Sequence, residues 1–444
     1  MKRVLLVNPS IAYATWKADL NVPSPDHTFI RLALAYLAGA LREKGHEVSL
    51  VDLRTISGWE EFEERVRSAA PDVVGISHQT IEFSIAQEAA RRIKKIDGRI
   101  CVVVGGAHAT MFPEECLKSG HVDYAVRGEG EISFPALVED PSSFPPSFWG
   151  ETPDLDRIPF PVRDIWDDYE TRIRREPFGI SGFRFKLPMA EMINTRGCPF
   201  NCSFCDGPGE KQIYTRISQS GDRIPYIRGR SVANVIGEIK ELRARYGIQS
   251  VMFHDDQFVI KRSWIEEFVR ALHDEGLVKS GFEWVTSCKA DIVCKYEGLF
   301  EKMAEAGLRL LIIGFESFSP RILKWFNKTA TAEQNFKAAE ICKKYGIKIW
   351  ANYILGVPTG EGWRIQDDLL TVDGVLQVEP VHYSPAFYTP TPGSPLYAWY
   401  KNNNLILEAR TREDLGERGP FTPKVKGVDY EFLRAIMVDD SIFA

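Results

Sequence analysis

Three cysteines, Cys198, Cys202 and Cys205, fall within one short stretch, Cys198-Pro199-Phe200-Asn201-Cys202-Ser203-Phe204-Cys205. Thiolates spaced by four and then three residues can ligate three irons of a cubane [4Fe–4S] cluster, which leaves the fourth iron without a protein ligand. An iron of that kind is open to a small molecule. Two other chemistries also gather cysteines. Structural zinc wants a fourth ligand, and Asp206 is the only close candidate. A redox dithiol needs Cys-x-x-Cys alone, so Cys198 would be superfluous to it. The remaining cysteines, Cys101, Cys116, Cys288, Cys294 and Cys342, stand apart from one another and read as small buried hydrophobes.

The elements that must position this loop form an α/β chain. Short β-branched runs at Arg3–Asn8, Glu47–Asp52, Asp72–Ser77, Arg99–Gly105 and Val122–Val126 alternate with amphipathic patterns such as Ile30–Lys44 and Phe83–Lys95. That alternation predicts a Rossmann-like, doubly wound parallel sheet over residues 1–140, with ligands expected at the carboxyl ends of its strands. Residues 141–185 open with Pro141, Pro145, Pro146, Pro153, Pro159 and Pro161 and read as a linker. A second alternation fills residues 186–398. Its strands are expected at Ala190–Thr195, Ser250–His254, Glu283–Ser287, Arg309–Gly314, Lys348–Leu355 and Val381–Tyr388, which amounts to a partial (β/α)6 TIM barrel. The cysteine loop directly follows the first of these strands, on the face where such barrels carry their chemistry. Residues 399–444 are expected to form a short, mainly helical cap. The polar stretch 206–228 is long for a connection and suits a substrate-gating lid.

Composition narrows the class. The chain has 444 residues, 44% hydrophobic and 26% charged, with a formal charge of −6 spread along its length. That balance offers no electrostatic footprint for nucleic acid. No stretch is apolar for long enough to span a membrane, and the run Val4 to Val7 is too short for a signal peptide. Reduced thiols and a cytoplasmic location are expected. The arginines Arg172, Arg174, Arg175, Arg184 and Arg196 read as a solvated face or as a meeting point for an anionic partner.

Arg196-Gly197 and the cysteine stretch after them resemble the signature of the radical SAM enzymes. In those enzymes the amine and carboxylate of S-adenosylmethionine chelate the open iron. The resemblance continues strand by strand: Asp255 and Asp256 would accept hydrogen bonds from the methionyl amine, Glu316 and Ser317 would lie near the ribose, and Leu355, Gly356 and Val357 near adenine. Gly105-Gly106-Ala107-His108 and Arg127-Gly128-Glu129-Gly130 are similar to the cobalamin-binding elements of the B12-dependent members. The loop Ser77, His78, Gln79, Thr80 would then face the lower side of the corrin, with His78 either a cobalt ligand or a shield. The Asp-x-His-x-x-Gly signature of other B12 proteins is absent from residues 1–140.

The resemblance implies a cobalamin-dependent radical SAM methyltransferase that uses a 5′-deoxyadenosyl radical and methylcobalamin to methylate an unactivated carbon. The substrate would be a peptide or protein, as for relatives that modify methyl-coenzyme M reductase, in preference to a small molecule. The electron would come from a low-potential donor, a ferredoxin or flavodoxin, and the chain would act as a monomer. A cyclase or other non-methylating radical enzyme, and a carrier of corrinoid and iron–sulfur groups without catalysis, are the competing readings. Tyr353, Tyr383 and Tyr388, near the ends of the last two strands, are expected to face the reaction cavity as catalytic residues.

Overall fold

Apolar runs bounded by turns, rich in valine and isoleucine in the first sheet and more mixed in the second, build two parallel sheets, since strands covered on both faces need apolar side chains at successive positions. The computed structural model describes residues 1–10, 29–177, 182–218, 225–407 and 424–438. Its described residues separate into a first unit running from Met1 to Arg172 and a second from Ile173 onward.

In the first unit, β1 (Arg3–Asn8), β2 (Glu47–Asp52), β3 (Val73–Ser77), β4 (Cys101–Gly105), β5 (Tyr124–Arg127) and β6 (Ser147–Trp149) form one sheet in the order β2-β1-β3-β4-β5-β6. All pairings are parallel. Every residue of β3 is buried, and Gly75 leaves room for Phe134, whose ring would stand 2.8 Å from a Cβ at that position. The expected strands are present. The stretch read as a linker differs from that expectation, because β6 lies inside it and the first unit extends to Arg172. β6 is an edge strand, so the prolines before it cost no ladder bond. Pro146 needs only its carbonyl, which accepts from the Ala125 amide at 2.8 Å. Arg172 is also not a surface arginine. It is 1% exposed and pairs with Asp168 at 2.7 Å and Asp52 at 3.7 Å.

In the second unit, β7 (Met189–Met192), β10 (Ser250–Phe253), β11 (Glu283–Cys288), β12 (Leu308–Glu316), β13 (Lys348–Leu355) and β14 (His382–Phe387) make a parallel sheet in the order β14-β13-β12-β11-β10-β7. A two-stranded antiparallel pair, β8 (Thr195–Arg196) with β9 (Arg228–Gly229), sits beside the cysteine loop. β7 and β14 do not pair, so the barrel is partial. The intervening helices carry local signals. Ser231 caps Val232–Tyr246 by accepting from the Asn234 amide at 3.1 Å, and Gly247 ends it at φ 67°. Phe268, on helix Arg262–Asp274, meets Phe253, Phe258 and Trp284 edge to face.

The expected gating segment begins as a helix, Gly207–Ser218, and residues 219–224 lie outside the described residues. The C-terminal region contributes helices Pro395–Asn402 and Tyr430–Ile436, while residues 408–423 and 439–444 are outside the description. Among the described residues no helix is long and apolar enough to cross a membrane.

Candidate functional site

The cysteine loop is fixed from both ends by backbone bonds. Asp255, following β10 and 4% exposed, accepts from the Asn194 amide at 3.0 Å and from the Thr195 amide and hydroxyl, each at 2.6 Å. These bonds hold the junction between β7 and β8. Gly197 then turns at φ 84°, where a Cβ would meet the Tyr226 carbonyl oxygen at 2.4 Å. Further along, the Ser203 amide donates to the Phe326 carbonyl at 2.8 Å, its hydroxyl to the Trp325 carbonyl at 2.7 Å, and Asn327 to the Asn201 carbonyl at 2.8 Å. The loop is thereby seated on the end of helix Pro320–Trp325.

Cys198, Cys202 and Cys205 line one cavity of about 240 Å³ at the carboxyl ends of the strands, together with Asp256, Gln257, Lys289, Glu316, Lys328 and Asn352. All three thiols are free of disulfides. Burial pushes each thiol above its ordinary range, that of Cys205 to about 12, while the ammoniums of Lys328 and Lys289 pull Cys202 back down. A metal must displace those protons to bind. Among the described residues no three Cys, His, Asp or Glu side chains gather closely enough to grip a single metal ion. Three thiols distributed around a cavity suit a cubane, whose irons occupy separate corners.

A β-bulge delivers another wall residue. The pairing of β12 with β13 shifts register between Gly314 and Glu316, and Glu316 adopts φ 63°. Its carboxylate meets the Lys328 ammonium at 2.9 Å, and Lys328 also donates to the Gly314 carbonyl. Lys289, directly after β11, places its ammonium 3.7 Å from the centre of the Phe200 ring.

The structure sorts the expected cofactor residues into two groups. Asp256 and Glu316 line the cavity; Asp255, Ser317, Leu355, Gly356 and Val357 do not. Both Asp255 oxygens are taken by the β7–β8 junction. Ser317 hydrogen-bonds Thr371 at 2.7 Å and is 1% exposed. Gly356, at φ 73°, donates its amide to Asp368 at 2.8 Å and leaves room for Leu433 of the C-terminal helix, which would stand 2.6 Å from a Cβ. Leu355 and Val357 are core residues.

The tyrosines are likewise away from the cavity, for a reason of strand parity. Asn352, registered with Gly314, points inward, so Tyr353 points outward, where its hydroxyl donates to the Val438 carbonyl. Tyr383 is registered with Ala351 and shares the outward parity. Tyr388 is 1% exposed between Phe326 and Tyr400, with ring centroids 5.7 and 5.0 Å away. The cavity residues that sequence reasoning passed over include Gln257, Cys288, Lys289, Lys328 and Asn352. Asp256 was reached through the family resemblance; a charged residue directly after an expected strand end is a signal that would have found Lys289.

In the first unit the loops after β3, β4 and β5 pack against one another. Gly106, at φ 92°, passes so near His78 that a Cβ would meet the His78 carbonyl at 2.7 Å. Thr110 accepts from the Gly128 amide at 2.9 Å, and Arg127 stacks on Trp149 at 4.2 Å. His78 is fully buried, with Nδ1 3.2 Å from the Gln79 carbonyl and Nε2 3.9 Å from Cys116 Sγ. Burial lowers its pKa to about 4, so the ring is neutral and both nitrogens face protein. His108 is also buried, Nδ1 lying 3.2 Å from the Thr80 hydroxyl. The glycines here serve close approach of protein to protein: a Cβ on Gly130 would stand 3.1 Å from Leu37, and one on Gly105 3.7 Å from the Val126 carbonyl oxygen.

Residues 21–138 match the B12 binding domain and residues 192–366 the Radical SAM superfamily. An uncharacterized methyltransferase of Pyrococcus horikoshii is 29% identical over 402 residues, 86% of this chain and 81% of that protein. The anaerobic magnesium-protoporphyrin IX monomethyl ester cyclase of Rubrivivax gelatinosus is 27% identical over 381 residues, 82% of this chain and 65% of that one. The solved structure of the cobalamin-dependent S-adenosylmethionine radical enzyme OxsB, with aqua-cobalamin bound, shares the fold at 16% identity. Its TM-score is 0.71, over 96% of this chain and 64% of that one. The chain thus joins a B12-binding domain to a radical SAM domain, and its cofactors are a [4Fe–4S] cluster, S-adenosylmethionine and cobalamin.

Proposed function

We propose that this chain, a cobalamin-dependent radical SAM enzyme of methyltransferase type, methylates an unactivated carbon of a peptide or protein. The observation that carries the reading is one cavity at the strand ends of the second unit, walled by three thiols, a carboxylate at Asp256 and ammoniums at Lys289 and Lys328. When bound, the three cofactors supply the reducing electron, the hydrogen-abstracting group and the methyl group.

The chain's own residues bind and orient. Cys198, Cys202 and Cys205 hold the cluster by three corners. Asp256 accepts from the methionyl amine, and Glu316, set by its bulge, faces the same bound molecule. Asp255 acts one step back by fixing the strand that carries the cysteine loop. Phe200 and Phe204 close the cavity wall with apolar surface that keeps water from the reacting atoms. In the first unit the loops after β3, β4 and β5 would hold the corrin, and His78, its Nε2 3.9 Å from Cys116 Sγ, would support those loops as a packed neutral ring. The gap between β7 and β14 leaves a side entrance suited to a polypeptide. The electron comes from a low-potential donor of ferredoxin or flavodoxin type.

Anaerobically reconstituted enzyme, given S-adenosylmethionine labelled in its methyl group and an extract of the host, should place label in the polypeptide fraction, with a mass gain of one methylene per site. The likeness to a named cyclase supports a second reading, radical chemistry without methyl transfer. Cleavage of S-adenosylmethionine with a product of unchanged carbon count would establish that reading instead.

A further inference from the structure

The two ammoniums in the cluster cavity are held very differently. Lys328, its side chain 3% exposed, is neutralised by Glu316 at 2.9 Å. Lys289 is 8% exposed, and its nearest carboxylate oxygen, on Asp291, is 3.8 Å away. Between them stands the Thr329 hydroxyl, which accepts from Lys289 and donates to Asp291. The other face of the Lys289 ammonium lies 3.7 Å from the centre of the Phe200 ring, midway in sequence between Cys198 and Cys202. Asp291 Oδ1 is itself buried without a hydrogen-bond partner. Lys289 is therefore a buried cation only partly compensated by protein, on the wall of a cavity that gathers three thiolates.

A buried cation keeps its charge only beside an anion. Three thiolates outweigh the positive charge of an oxidised cubane core, and reduction adds one more negative charge in the same buried place. A fixed cation nearby stabilises the reduced form more than the oxidised one, because the attraction scales with the anionic charge. Lys328 has its carboxylate partner in contact at 2.9 Å, whereas the partner of Lys289 stands 3.8 Å away behind the Thr329 hydroxyl, so more of the Lys289 charge is left uncompensated.

We propose that Lys289 is a positioning residue that acts through its charge to make the cluster easier to reduce, with Asp291 setting how much of that charge the cluster feels. The inference rests on the cluster assignment of Cys198, Cys202 and Cys205. The transfer is one electron from an external low-potential donor to the cluster, with no bond made or broken. The ammonium is a standing source of potential in the cavity and is not consumed.

The test is a redox titration of the reconstituted full-length protein, followed by the electron paramagnetic resonance of the reduced cluster, without S-adenosylmethionine or cobalamin. Any role of Lys289 in holding those molecules then does not enter the reading. Lys289→Met should make reduction at least tenfold less favourable, about 59 mV more negative for one electron. Lys289→Arg should restore most of that shift. Asp291→Asn should move the potential the opposite way, to less negative values. Removing the paired charges together, with Lys328→Met and Glu316→Gln, should shift it less than Lys289→Met alone. Equal potentials in wild type and Lys289→Met, or a negative shift in Asp291→Asn, would overturn the inference. If Lys289→Met assembles no cluster, the Asp291→Asn and Lys289→Arg proteins decide the sign. A wild-type chain that takes up no cluster would instead overturn the assignment of the three cysteines.

Discussion

The two units carry sheets of the same size and the same parallel sense, yet their carboxyl rims are built on opposite principles. In the first unit, glycines pull the loops after β3, β4 and β5 together over a buried imidazole, and the chemistry-bearing side chains are turned inward. In the second, a bulge, a bound carboxylate and a seated loop hold a cavity open and aim charged side chains into it. A rim of backbone suits a large preformed cofactor whose reactivity is its own. A rim of thiols and charges suits a site where the protein supplies ligands and sets the field.

The sharpest way to break that contrast is at the thiols. Cys198→Ser, Cys202→Ser or Cys205→Ser should each abolish cluster uptake, measured as iron and sulfide per chain, and with it all cleavage of S-adenosylmethionine. Corrin binding should survive in each, because it belongs to the other rim. Loss of both together would show that the two rims are not independent.

The next largest effect lies in the first unit. His78 titrates near 4 when folded and near 6.5 when exposed, because burial disfavours its charge. Its contribution to stability is therefore fully present above pH 6.5 and lost as pH falls through about 4. The loss amounts to about 3 kcal/mol. His78→Gln should flatten that part of the stability profile, read by hydrogen exchange within residues 1–172. An unchanged slope would mean that the ring is not buried as a neutral group.

Smaller effects separate neighbours within the second rim. Asp256→Asn should weaken S-adenosylmethionine binding about tenfold, or ~1.4 kcal/mol, by calorimetry. Asp255→Asn should instead cost about 1–3 kcal/mol of folding stability, by removing an acceptor from the β7–β8 junction. The smallest change is expected at Tyr353→Phe, which removes a bond to the Val438 carbonyl worth about 1 kcal/mol and leaves turnover intact. A large loss of turnover there would return Tyr353 to the cavity.

Particular residues show what a sequence can reveal of such a molecule. The cysteine triad was legible because its geometry is local: one loop fixes all three spacings. The first five strands of the first sheet were legible as β-branched runs and those of the second by alternation with helical patterns, although β6 was hidden by Pro145 and Pro146, which an edge position tolerates. Of the pair Asp255 and Asp256, sequence marked the right place but not which carboxylate faces the cavity, since that depends on a junction sixty residues earlier in the chain. Tyr353 illustrates the same limit in a strand. Alternation dictates that Asn352 and Tyr353 face opposite ways, but the inward one is set by the register of β13 on β12. Lys328 could not be read at all. It reaches Glu316 only because helix Pro320–Trp325 folds back beneath the cysteine loop.

The most direct test of the account is the electron paramagnetic resonance spectrum of the reduced, reconstituted protein before and after adding S-adenosylmethionine. With three thiolates on the cluster and one corner open, the sulfonium compound should bind that corner and change the signal, and Asp256→Asn should demand more of it for the same change. A spectrum indifferent to S-adenosylmethionine at every concentration would mean that the corner is already filled by the protein.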